Sequence, residues 1–205
     1  MMKKVISKIA FAIVALLSCA SLTSCDYNSL VEQEQSVEQA WAQVENQYQR
    51  RADLIPNLVN TVKGYAEHES ETLQSVTNAR AGLTNAYNNA QAISGEQATA
   101  SEESLQQYQQ AQNALKGALD IYVNAVREAY PDLKANQNFN NLQTQLEGTE
   151  NRIATERMRY TEAVKNFNTA IKKFPTVIYA GWFGFEEKPQ FKAEEGASKA
   201  PEVQF

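Results

Sequence analysis

From Leu30 onward the apolar residues return at steps of three and four: Leu30, Val37, Trp41, Val44, Tyr48, Ile55, Leu58, Val62 and Tyr65. That spacing puts them on one stripe of a helix and predicts a single long rod whose seam faces a core. Two places on the seam, Glu34 and Arg51, are charged. Pro56 falls inside the pattern, where it deletes the hydrogen bond to the Ala52 carbonyl and costs roughly 3 kcal/mol in a helix interior. The phase is kept on both sides of it, which predicts a helix kink at Pro56. The competing reading has Asp53 capping a new helix with Pro56 in its first turn.

Beyond Gly64 the seam resumes in shifted phase with Leu73, Val76, Arg80, Leu83 and Tyr87. Residues 88 to 104 are polar, contain Gly95 and show no apolar period, which predicts a mobile connection with at most a short helical piece. Leu105, Tyr108, Leu115, Leu119, Tyr122, Val126 and Ala129 mark the next helix at coiled-coil spacing, and Tyr130-Pro131 ends it. Phe139, Leu142, Leu146, Ile153, Tyr160, Phe167, Ile171 and Phe174 mark the last, which over residues 137 to 174 spans roughly 57 Å. Connections this short make neighbouring helices antiparallel, so the expected fold class is all-α, an antiparallel four-helix bundle of up-and-down character. Composition agrees: 8 glycines and 5 prolines in 205 residues, and a hydrophobic share of 43%, suit long helices and one buried core.

The N-terminus has its own pattern. Lys3 and Lys4 precede an apolar run from Ile9 to Leu17 and a small-residue stretch through Ser24, the layout of a secretory signal. Lys8, Ser18, Ser21, Thr23 and Ser24 leave fewer than the roughly 20 apolar residues of a membrane-spanning helix. Leu22-Thr23-Ser24-Cys25 resembles the bacterial lipobox, and by that resemblance residues 1–24 are removed and Cys25 is the lipid-bearing first residue. Leu16-Leu17-Ser18-Cys19 fits the same pattern with a shorter apolar run, and an uncleaved transmembrane anchor is the rival reading. Removing Lys3, Lys4 and Lys8 leaves 16 basic residues against 24 acidic, a net charge of −8. Such a chain is a poor partner for nucleic acid or anionic lipid headgroups. Both cysteines lie in this segment, so the bundle has no disulfide and depends on packing.

Candidate chemistry is sparse. A carboxylate-bridged di-metal bundle needs Glu-x-x-His on two helices, whereas this chain has only His68, with Tyr65 three places before it and Glu71 three after. There is no material for a Ser-His or Cys-His nucleophile, no phosphate loop and no dinucleotide fingerprint. No catalytic residue, metal or cofactor is expected. The polar residues on the seams do stand out. Arg51 on the first rod, and Thr149 and Glu156 on the last, predict an interhelical pair of Arg51 with Glu150 or Glu156 that fixes register. Its alternative has Arg51 reaching water and Glu156 pairing locally. After Phe174-Pro175, the aromatics Tyr179, Trp182, Phe183, Phe185 and Phe191 either fold back over the bundle's end or form a docking strip for a partner or a lipid headgroup layer. Residues 192–205 read as a disordered tail.

Several stretches in order resemble the LemA family: Tyr27 to Val31, Ala40-Trp41, Gln49 to Val59, Val62 to Ala66 and His68-Glu69. Tyr130 to Asn136, Leu146 to Ala154, Tyr160, Phe174-Pro175 and Phe183-Gly184-Phe185 extend the match. The resemblance covers about residues 27 to 191. It implies a bacterial membrane-associated four-helix bundle with no agreed enzymatic activity to carry onto residues. Many members have a membrane-spanning anchor where this chain has a lipobox. The expected role is a membrane-tethered interaction or scaffold module of the cell envelope, held by its lipid anchor and serving an unknown envelope protein. A small-ligand carrier or an enzyme with an unrecognised site is the alternative.

Overall fold

The computed structural model describes residues 2–66 and 74–192, with side chains from Tyr27 onward. Five helices carry the fold: α1 Met2–Ala66, α2 Gln74–Gln91, α3 Gly95–Ala98, α4 Glu102–Ala129 and α5 Gln137–Lys172. There is no strand among the described residues. α1 packs along α5 and α2 along α4. The chain runs up, down, up and down, as the all-α bundle reading requires.

Local chemistry sets the ends. Ser101 accepts from the Ser104 amide at the start of α4, followed by Glu102 and Glu103 in the first turn. Asn136 accepts from the amides of Asn138 and Phe139 at the start of α5. Both satisfy N–H groups that a helix leaves unpaired, and acidic side chains there complement the helix dipole. A 3₁₀ turn, Pro131–Ala135, seats Leu133 in the core between α4 and α5.

α1 runs through Pro56 without interruption, and no second helix begins at Asp53. Pro56 sits on the exposed face while Ile55 and Leu58 beside it are buried. Burial of those neighbours outweighs the lost backbone bond.

The seams pack into two clusters. One holds Leu30, Val37, Trp41, Val44 and Tyr48 of α1 with Leu105 and Tyr108 of α4 and Tyr160, Val164 and Phe167 of α5. The other holds Ile55, Leu58 and Val62 with Val76, Leu83, Leu115, Tyr122, Phe139 and Leu146. Only the second contains the seam of α2, whose 18 residues cover about 27 Å, half the length of α5. Around the first cluster, α2 is replaced by α3 and the C-terminal segment.

Three expectations need correction. The connection after α2 holds the expected short helical piece, α3, but it is built into the core: Ala98 is buried and Ile93 packs on the aromatic cluster. Ser94 and Ser101 supply the caps that shape it. Arg80, placed on the α2 seam by spacing, is exposed. Phe174 lies outside α5 and is 81% exposed, because the helix stops at Lys172 and the chain turns away before completing the seam.

Candidate functional site

Arg51 stands between the two clusters, with only 2% of its side chain exposed. Its Nη1 donates to Glu150 Oε1 at 2.8 Å, and its Nη2 donates to the Gln112 side-chain oxygen at 2.5 Å and backbone carbonyl at 3.1 Å. The guanidinium carbon also lies 5.2 Å from the centre of the Tyr48 ring. One cation therefore joins α1, α4 and α5 at the same height. A point ammonium could not serve both partners with this geometry; the planar guanidinium can. Arg51 Nε is buried with no hydrogen bond, so the cation is well paired at its tip and unmatched at its base.

The rest of the layer is polar as well. Thr149 is buried and donates its hydroxyl to the Gln145 carbonyl one turn back. Glu156 lies further along α5 and pairs with Arg159 at 2.9 Å. Of the two carboxylates proposed from the seam, the structure brings Glu150 to Arg51 and turns Glu156 to its own helix. Glu34, the other charged place on the α1 seam, meets Lys188 of the C-terminal segment at 2.7 Å.

Gln112 was invisible to an apolar reading. It occupies the place between Tyr108 and Leu115 where the seam skips a step. That gap on α4, opposite Arg51 on α1, was the available signal.

Beside the layer is a cleft of about 310 Å³ lined by Glu45, Tyr48, Gly95, Tyr108 and Gln112 among others. Burial pushes the Tyr48 and Tyr108 hydroxyls above the ordinary phenol range; nearby Arg157 and Arg51 oppose this at Tyr48. The Tyr48 hydroxyl makes no hydrogen bond. Burial also raises Glu45 above the usual carboxylate range. The Glu45 carboxylate lies over Gly95, in the space a Cβ would take, so a larger residue there would displace that side chain.

The C-terminal aromatics divide. Two 3₁₀ turns, Thr176–Ile178 and Ala180–Phe183, cap the end of the bundle and bury Tyr179 and Phe185, while Trp182 and Phe183 stay exposed. Past Phe185 the chain is a strap. Asn168 donates to the Lys188 carbonyl at 2.8 Å and accepts from its amide at 2.9 Å. The Tyr160 hydroxyl donates to the Pro189 carbonyl at 3.0 Å, and Gln109 donates to the Lys192 carbonyl at 3.0 Å. Phe191 stacks on Trp41, meets Tyr160 edge-on and carries the Arg157 guanidinium 4.5 Å above its ring.

Among the described residues, no group of three His, Cys, Asp or Glu could hold a metal ion, and no helix is long and apolar enough to cross a membrane. His68 and Glu71 lie outside the described residues, as do the side chain of Cys25 and the tail from residue 193.

These features define a helical rod whose core is interrupted by a buried polar layer around Arg51 and closed by a C-terminal cap. The profile of the LemA family matches residues 40–205, and the chain belongs to that family. It is similar to Protein LemA of Metamycoplasma hominis, 24% identical over 155 residues. That alignment covers 76% of this chain and 60% of the relative's length.

Proposed function

We propose that this protein is a membrane-tethered bundle of the bacterial cell envelope that works as an interaction or scaffold module and not as a catalyst. The observation that carries the reading is α1. One helix runs without a break from Cys25, the expected lipid-bearing residue, to Ala66 at the far end of the bundle, and Arg51 ties it at mid-height to α4 and α5. Such a construction transmits position from a tether to a surface. It suits presentation of a shape to a partner better than chemistry. Chemical crosslinking in membranes followed by purification of the full chain tests it. Reproducible recovery of an envelope protein, lost when Arg51→Ala loosens the rod, is expected; recovery of nothing above background would reject the module.

A second reading, a carrier for a small polar ligand, is favoured by the cleft at Glu45, Tyr48 and Gln112 with its unbonded Tyr48 hydroxyl. A ligand seated there raises the melting temperature of the wild type and not of Tyr48→Phe.

A further inference from the structure

The cap at the end of the bundle has two faces. Thr176, Tyr179, Ala180 and Phe185 point into the core, whereas Phe174, Val177, Ile178, Trp182 and Phe183 are exposed. Its backbone is internally bonded: the amides of Val177, Ile178, Tyr179, Trp182, Phe183, Gly184 and Phe185 all donate to carbonyls within residues 173–181. The apolar side chains are thus held outward by a folded turn and are not a loose end. Trp182 is 82% exposed and Phe183 58%. That cost to solubility calls for a covering surface.

Position identifies the surface. The Phe183 ring meets Tyr27 of α1 at 5.2 Å, edge to face, and Phe185 approaches the same tyrosine at 5.6 Å. Tyr27 is two residues past Cys25 and five past Leu22, in a helix continuous over Met2–Ala66. At 1.5 Å per residue those separations are about 3 and 8 Å along the axis. With acyl chains on Cys25 as the tether, the cap lies within the depth of a headgroup layer. Tryptophan, with an apolar body and a polar N–H, is the residue type enriched at that depth.

We propose that the exposed face of this cap, Phe174, Val177, Ile178, Trp182 and Phe183, rests in the interfacial layer of the lipid bilayer and sets the bundle upright on it. The proposal builds on the membrane-tether reading above. It names an apolar contact, consistent with a chain too acidic to be drawn by anionic headgroups. The cap is a second attachment beside the tether, and two attachments fix an orientation that one leaves free.

The chain's two tryptophans permit a direct test. The full chain is reconstituted into phosphatidylcholine vesicles containing lipid with a nitroxide near the acyl carbonyl, and floated. Trp182 is quenched by the lipid label and shielded from aqueous iodide. In Trp182→Phe the remaining Trp41, buried and about 21 Å further along α1, shows neither response. Iodide quenching of Trp182 without lipid quenching, in chains that do float, overturns the proposal while leaving the tether intact. Shielding from both quenchers means a second copy or another protein covers the cap, and also overturns it. A chain that does not float removes the tether reading, and this inference with it.

Discussion

Replacing Arg51 by alanine takes away a guanidinium that serves α1, α4 and α5 together. It leaves the Gln112 side chain and carbonyl without their donor and Glu150 without its cation. At the observed 2.8 Å and an effective dielectric of ~20, the Arg51–Glu150 attraction is about 6 kcal/mol before desolvation. Burying the guanidinium cancels most of that, and the 24% exposure of Glu150 admits screening by water, leaving a coupling of about 2 kcal/mol. Arg51→Ala is expected to lose about 4 kcal/mol, because an unpartnered buried group is added to a cavity, and Glu150→Ala about 3. The double variant then loses about 5 kcal/mol, and urea unfolding of the four proteins measures the difference. Strict additivity would refute the reasoning, since it would mean that the contact carries no energy of its own. A companion variant separates stability from specificity. Arg51→Met with Gln112→Leu and Glu150→Met removes every member of the pair and joins the two apolar clusters, so its stability is equal to or above wild type. Its helices lose their mark of register, seen as multiple resonances for core methyl groups.

Phe191→Ala removes the ring that holds the strap against Trp41 and Tyr160; a half-buried phenylalanine places the loss at about 2 kcal/mol, read as a lower melting temperature with altered Trp41 emission. Glu45→Gln stabilises the fold at neutral pH: burial raises the Glu45 pKa in the folded state, so the native carboxyl contributes stability below its unfolded pKa that is lost as pH rises through the folded one. Thermal melts of the two proteins therefore differ at pH 7 and converge below about pH 4; a gap that widens in acid would contradict this. Pro56→Ala restores an amide donor on the exposed face of an unbroken helix and raises stability by up to about 3 kcal/mol in urea unfolding.

The long helices were legible because their seams are strict. Trp41, Tyr48, Leu58 and Val62 on α1, and Ile153, Tyr160 and Phe167 on α5, are buried where the spacing places them. The polar layer was half legible. An arginine in a stripe of leucines and tyrosines is conspicuous, but choosing Glu150 over Glu156 depends on the axial register of two rods, which spacing along one chain does not contain. Gln112 escaped because a reading of apolar positions skips the polar one that completes the layer. The packing of the connection after α2 is not legible for a related reason. Small residues such as Ala98 have too little side chain to create a period, yet they are what fits where a backbone passes close to the core. The cap shows the converse: the aromatics of residues 174 to 191 announce burial by type, and only the turn geometry decides that Tyr179 and Phe185 enter the core while Phe174 and Trp182 face outward.

The central claim is that this bundle works from a membrane, and the state of its first residue in membranes tests that most directly. Intact-mass analysis of the protein extracted from membranes, with flotation of wild type and Cys25→Ala side by side, is expected to show a chain beginning at an acylated Cys25 that floats, and a variant that is released. Mass corresponding to an unmodified N-terminus, with wild type remaining in the aqueous fraction, would contradict the account.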